Sequence, residues 1–209
     1  MKQQRVYREL REAIYSGQLK PGQKLVERQL ALKFATSRVP LRESLLRLVS
    51  EGLVRHTPGQ TSFVEDLTAD DVQEIWLMRR TLEPVAARLV AQGSQRRSVA
   101  KRLLLLADRM AKYLRADQDA RSAECDLEFH RTIIEATKSP RLVRAYELSH
   151  VPMLMSRLTG ERGEPDLLWQ QHVEYARLIE QGTPDAAEQY ARWHVIEIAD
   201  RMPSGGQNS

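Results

Sequence analysis

Four residues in the second half of the chain have the types and spacing of a transition-metal site. Asp126 and His130 are four residues apart, so their side chains share one face of a predicted helix. His172 and His194 lie on two further predicted helices. Three imidazoles and one carboxylate from three helices of a bundle can bind a divalent metal ion and leave one or more coordination positions open. The spacing alone does not exclude three separately buried histidines, because convergence of helices cannot be read from sequence.

A second group of residues has the chemistry of DNA recognition. Arg38 and Arg42 lie about one turn apart at the start of a predicted helix, on the side away from its leucines, and Ser37 comes directly before them. Arginine can donate two hydrogen bonds to guanine, and serine can bond to a base or a phosphate. Arg28, on the preceding helix, is placed to reach a phosphate or the edge of the groove. The pattern is typical of a short helix that enters the DNA major groove.

The N-terminal segment that carries these arginines is predicted to form three helices and a β-hairpin. Apolar residues at helical spacing, with glycines and prolines at the breaks, predict helices at 3–16, 26–34 and 37–51. Strands are predicted at 53–56 and 61–64, around a Pro-Gly turn. This order is that of a winged helix-turn-helix. Gly59, at the tip of the wing, would let the main chain come close to the DNA backbone or the minor groove.

The remaining chain has the pattern of a helical bundle with no strand signal. Thr68 is a plausible N-cap for its first helix. The six predicted helices span residues 69–92, 96–116, 119–137, 140–158, 165–181 and 184–202. The predicted fold is therefore mainly α, with a winged helix-turn-helix domain at 1–66, an all-α six-helix bundle at 67–202 and a disordered tail at 203–209.

The charge is unevenly distributed between the two predicted domains. Residues 1–66 contain 12 Lys and Arg against 7 Asp and Glu, whereas the rest of the chain contains 20 against 21. The basic excess needed to attract phosphates therefore lies in the N-terminal domain, which we call the head.

Cys125 is the single cysteine, which excludes an internal disulfide framework. Since there is also no apolar run long enough for a membrane span and no signal-peptide pattern, we expect a cytoplasmic protein.

The N-terminal 65 residues resemble the winged helix-turn-helix of the GntR family of bacterial transcription regulators. The matching segments are GQLKPGQKLVE at 17–27, LA at 30–31, SRVPLRESL at 37–45 and LVSEGLV at 48–54. The resemblance implies that operator DNA is contacted by six residues, with Val39 against a base methyl group: Arg28, Ser37, Arg38, Val39, Arg42 and Gly59.

Residues 69–202 resemble the all-helical effector (FCD) domain of the FadR-type branch of the same family. The matching residues are Arg80-Thr81-Leu82-Glu83, the segment from Asp126 to His130, His172 and Trp193-His194. The resemblance implies that Asp126, His130, His172 and His194 bind a divalent metal, with zinc as the first choice and nickel or manganese as alternatives. It further implies an organic-acid effector that completes the coordination, with Arg80 as the residue that binds its carboxylate and Arg79 as the alternative. Six helices rather than seven favour the VanR-like form of this domain.

These features together predict a transcription regulator that binds a palindromic operator as a homodimer, acts as a repressor and is controlled by a small carboxylate metabolite. Two alternatives are open. The metal ion itself could be the signal, or the helical half could be a metal-dependent hydrolase or oxygenase. The sequence has no HExxH helix, and Glu128 is two residues from both Asp126 and His130, so it points away from their face. We therefore predict no catalytic residues.

Overall fold

The N-terminal head consists of three helices and a small antiparallel sheet. The structure of the whole chain is a computed structural model, which describes residues 2–57, 61–149 and 165–201. The elements of the head are α1 (Lys2–Tyr15), β1 (Lys24–Leu25), α2 (Glu27–Lys33), α3 (Arg38–Ser50), β2 (Val54–Thr57) and β3 (Thr61–Val64). The winged helix-turn-helix is confirmed. The turn at 58–60, with the predicted contact residue Gly59, lies outside the described residues.

The leucine stripe of α3 holds the head together. Leu41, Leu45 and Leu48 are buried against the apolar face of α1, where Val6 and Leu10 are also fully buried. These spacings put one face of each helix into the shared core and leave the opposite face of α3 to solvent. The front of α3 is thus presented outward by the packing of its back.

The sheet contains one strand that the sequence pattern did not predict. The strand order is β1-β3-β2, and both pairings are antiparallel. Phe63 of β3 lies opposite Arg55 of β2 on one side and opposite Lys24 of β1 on the other. A strand of two residues is too short for an alternation pattern, so only its partner reveals it. The extra pairing fixes the wing against the start of α2.

The second domain, over its described residues, contains six helices. They are α4 (Ala69–Gln92), α5 (Arg96–Arg115), α6 (Asp119–Ala136), α7 (Pro140–Leu148), α8 (Pro165–Gln181) and α9 (Pro184–Arg201). Each begins and ends within two residues of its predicted bounds, apart from the end of α7. The predicted continuation of α7 to residue 158 and the predicted tail at 203–209 lie outside the described residues. None of the described helices is long and apolar enough to span a membrane.

The helices of the bundle pack against one another and bury one side of α6. Helix α4 packs against α9, while α5 packs against both α6 and α8. Thr68 and Asp71 form a reciprocal capping box at the start of α4, which confirms Thr68 as its cap. On α6, Asp126 and His130 are buried on the same side as the core residue Phe129. Asp126 and His130 therefore point into the bundle and not to solvent.

Candidate DNA-binding and metal-binding sites

The predicted DNA-contacting side chains of the head lie on its exposed surface. Ser37, Arg38, Val39 and Arg42 are all exposed at the start of α3, and Val39 keeps 67% of its surface accessible. Ser37 occupies the N-cap position, but its side chain makes no capping hydrogen bond. Arg28 is exposed on α2. An outward row of two arginines, a serine and a valine at a helix start can meet both base edges and phosphates.

Arg42 is held by a partner from the other helix of the motif. Its Nε donates to both carboxylate oxygens of Glu27, at 2.8 and 2.9 Å. These hydrogen bonds and the carboxylate charge raise the pKa of Arg42 above its ordinary value. Nothing in the sequence predicts the pair, since the two residues are 15 positions apart and on different helices.

Three histidines from three helices converge inside the second domain. His130 of α6, His172 of α8 and His194 of α9 are at most 1% exposed, and each offers a ring nitrogen within 4.8 Å of the other two. Asp126 Oδ1 lies 2.9 Å from His172 Nε2 and 3.6 Å from His130 Nε2. Asp126 therefore lies beside the three histidines, next to His172 and His130, and we call the four residues the histidine cluster: Asp126, His130, His172 and His194.

Neighbouring groups orient two of the imidazoles. His172 Nδ1 lies 2.8 Å from the carbonyl oxygen of Leu168, which can only accept a hydrogen bond. Nδ1 of His172 therefore donates to Leu168, while its Nε2 faces Asp126 Oδ1 at 2.9 Å. His130 Nδ1 lies 2.8 Å from Glu83 Oε2 on α4, and its Nε2 also faces the cluster. An outer nitrogen that donates to a carbonyl, as in His172, is the usual arrangement around a bound metal, whereas His130 and Glu83 are in ion-pair contact without a well-aligned hydrogen bond.

His194 is the member of the cluster that makes neither a hydrogen bond nor an ion-pair contact with any residue that the structure describes. It is fully buried, and neither ring nitrogen has a hydrogen-bond partner in the part of the chain that the structure describes. Its ring stacks on His130 at 5.3 Å and stands edge-on to His172 at 4.7 Å between centroids. Burial, together with the neighbouring histidines, holds the pKa of His194 well below its ordinary value. A neutral, unbonded imidazole in a bundle core costs free energy unless it meets a ligand.

The two candidate effector-binding residues, Arg80 and Arg79, lie in different environments. Arg80 is exposed on α4 and turned away from the histidines, whereas Arg79 is completely buried beside them. One residue rotates a side chain by about 100° around a helix, so neighbours face opposite environments. Arg79 Nε donates to Glu83 Oε1 at 2.6 Å. Although burial by itself would raise it, the charges of Arg79 and His130 lower the pKa of Glu83 to about 2, so the ion pair is fully charged.

The charges around the histidine cluster favour a cation. Asp126 is buried, and although desolvation opposes ionisation, the neighbouring His130 and His172 hold its pKa well below the ordinary value. Burial alone would lower the pKa of His130, but the charges of Glu83 and Asp126 raise it to about 9. The buried carboxylates of Glu83 and Asp126 therefore face Arg79 and a His130 that holds a proton, and a divalent ion bound by the imidazoles would replace that proton.

Glu128 is on the outside of α6, as its position in the sequence predicts. Its carboxylate pairs with Arg102 of α5 at 2.9 Å, and its side chain is 43% exposed. It cannot serve as a base beside the histidine cluster from there, because a general base must lie within hydrogen-bond reach of the proton that it takes.

Comparisons with known proteins agree over both domains. The family described as "Bacterial regulatory proteins, gntR family" matches residues 2–64, and the FCD domain family matches residues 74–197. The uncharacterized HTH-type transcriptional regulator YdhC of Bacillus subtilis is 26% identical over 94% of this chain and 88% of its own length. The HTH-type transcriptional repressor RspR of Escherichia coli is 23% identical over 95% and 88%. The solved structure of Escherichia coli McbR/YncC superposes with a TM-score of 0.72 at 22% identity, covering 96% of this chain and 97% of that one.

The winged head and the helical second domain thus belong to one recognised architecture. The relatives are transcription regulators and not enzymes, which agrees with the position of Glu128. The chain belongs to the GntR family of bacterial regulatory proteins, in the group with an FCD domain, and is a DNA-binding transcription regulator.

Proposed function

We propose that the protein is a homodimeric repressor that acts on operator DNA in the cytoplasm and is controlled by a small organic acid bound at a metal site in its FCD domain. The observation that carries the metal site is His194, a fully buried imidazole whose two nitrogens lack partners among the described residues. Its nitrogens lie within reach of His130 and His172. A relative named as a repressor, RspR, supports the direction of regulation.

The donor set of the histidine cluster fits a divalent transition metal. Three imidazole nitrogens and one carboxylate oxygen suit zinc first and also suit nickel or manganese. A divalent ion held there would supply a Lewis-acid centre that binds a carboxylate. Glu83 and the Leu168 carbonyl keep His130 and His172 turned towards it.

Arg79 takes the place of Arg80 as the residue proposed to bind the effector. It is buried beside the histidine cluster, where its charge can attract a carboxylate. Its Nε donates to Glu83 Oε1, which fixes the guanidinium beside the cluster. A small acid between Arg79 and the metal would therefore be recognised by both positive groups.

The effector would control DNA binding by changing the separation of the two DNA-binding heads in the dimer. Two heads of a dimer must match two half-sites of fixed spacing, so a small change in their separation weakens operator binding. The effector can shift this equilibrium only by its different affinity for the two arrangements. Relief of repression is the result if the effector-bound arrangement does not fit the operator.

Metal content tests the site directly. Full-length protein is stripped with a chelator, dialysed against zinc, nickel or manganese, and analysed by mass spectrometry for bound metal per chain. We expect one equivalent in the wild type and a large loss in His194→Ala. His56→Ala is the matched control, because His56 lies on the wing and its Nδ1 pairs with Ser62 Oγ at 2.9 Å. Equal metal content in the wild type and His194→Ala would refute the site.

A second titration distinguishes the metal ion from the organic acid as the signal. Metal is added with no organic acid present while DNA binding is followed. If small carboxylates change DNA affinity only in the metal-loaded protein, the effector reading holds. If metal alone switches DNA affinity and acids have no further effect, the ion is the signal and the effector proposal is wrong.

A further inference from the structure

We propose that Glu27 is a specificity-determining residue of the head, which positions Arg42 so that its guanidinium reads a base pair in one orientation. The inference rests on the proposed role of Arg42 in DNA recognition and concerns a residue that does not itself have to touch DNA.

The geometry of the pair leaves the reading edge of Arg42 open. Glu27 engages Nε alone, at 2.8 and 2.9 Å, and both Nη groups lie without a hydrogen bond to any residue that the structure describes. The Arg42 side chain is 56% exposed, whereas Glu27 is 27% exposed. The Nη groups are the ones that can donate together to the O6 and N7 acceptors of guanine.

The carboxylate is itself well fixed. Glu27 is the first residue of α2, where the positive end of the helix dipole favours a negative charge. The pair lines a cleft of about 160 Å³ between α3 and the wing, together with His56 and Ser62, which bond to each other. Arg42 is therefore paired with a less exposed carboxylate that belongs to a different helix of the motif.

Two opposing effects on DNA binding follow from this arrangement. The charge of Glu27 repels phosphates, which weakens binding to every sequence by about two- to fivefold, the size of one exposed charge interaction. Holding a long side chain in its binding rotamer before contact removes part of the ordering cost, which improves discrimination by about three- to tenfold at the base pair that Arg42 reads. Glu27 would thus lower the affinity for all DNA sequences and raise the selectivity at one base pair. A surface ion pair without a positioning role would not raise the selectivity.

The experiment uses the full-length protein and a random duplex DNA library, because selection from random sequences does not require the operator sequence. Bound sequences are enriched and compared for the wild type, Glu27→Ala, Arg42→Ala and the double variant. Glu43→Ala is the matched control, because Glu43 is exposed on α3 next to Arg42 and takes no part in the pair. Circular dichroism and thermal unfolding verify that each variant is folded.

We expect Glu27→Ala to lose preference at one base pair per half-site, the same base pair that loses it in Arg42→Ala. The double variant should match Arg42→Ala. Both Glu27→Ala and Glu43→Ala should bind non-specific DNA more tightly, but only Glu27→Ala should lose selectivity. An unchanged motif in Glu27→Ala, or a loss at a different base pair, would overturn the inference. If Arg42→Ala itself keeps the wild-type motif, the proposed contact role of Arg42 fails instead.

Discussion

Arg11 of α1 and Glu124 of α6 form an ion pair, with 2.6 Å between Nη1 and Oε1, that joins the DNA-binding head to the helix bearing Asp126 and His130. Arg11 also lies 3.8 Å from Glu51, the residue at the C-cap of the recognition helix α3. A short series of charged contacts therefore runs from the end of α3 to a position two residues before Asp126. These contacts join the two domains near both proposed sites.

Loss of the Glu124 charge should weaken the coupling between metal and DNA. We expect Glu124→Gln to keep its metal content and its DNA affinity when metal-loaded, but to show a smaller change in DNA affinity after chelation than the wild type. Fluorescence anisotropy with a selected duplex measures both states. Glu128→Gln is the control, because it removes a carboxylate from the same helix that pairs with Arg102 of α5 and not with the head. Equal responses in both variants would assign the coupling to another contact.

Metal removal should lower the thermal stability of the second domain. Free metal at about one hundred times its dissociation constant stabilises a folded protein by about 2.7 kcal/mol, which corresponds to an increase in Tm of about 5–10 °C for a chain of this size. Calorimetry with and without chelator should show that shift in the wild type and not in His172→Ala. A chelator effect of the same size in His172→Ala would indicate that the metal binds elsewhere.

Arg79 and Arg80 should differ sharply in their effect on stability although they are adjacent. Removing one partner of a buried ion pair leaves an uncompensated charge, so Arg79→Ala should cost about 3–5 kcal/mol of unfolding free energy. Arg80 is exposed, and Arg80→Ala should change it by less than about 0.5 kcal/mol. Urea unfolding followed by circular dichroism measures both. If Arg79→Ala does not fold, Arg79→Lys keeps the charge and should lie between the two.

Arg38 should contribute to base recognition. Arg38→Ala is expected to weaken binding to a selected duplex by about 1–3 kcal/mol and to relax the preference at one position of each half-site. Arg144→Ala removes another exposed arginine, 71% accessible on α7 of the other domain, and should leave binding unchanged. Binding of Arg38→Ala that is as tight and as selective as the wild type would remove Arg38 from the proposed interface.

The local elements were predictable because their signals lie within a turn or two of the chain. The stripe of Leu41, Leu45 and Leu48 predicts both the existence of α3 and its buried side. Thr68 predicts the start of α4 because a hydroxyl three residues before an acidic side chain can form a capping box. Strand β1 was missed because two residues carry no periodicity, and the strand exists only through its pairing with β3.

The sequence by itself determined the helices, the basic head and the set of residue types able to bind DNA and metal, since each depends on neighbours along one helix. Only the tertiary structure decided that His130, His172 and His194 meet, that Arg79 and not Arg80 lies beside them, and that Glu27 holds Arg42. Those relationships depend on how separate helices pack and rotate against one another. Packing is set by the whole core at once, so no single segment of the chain contains it.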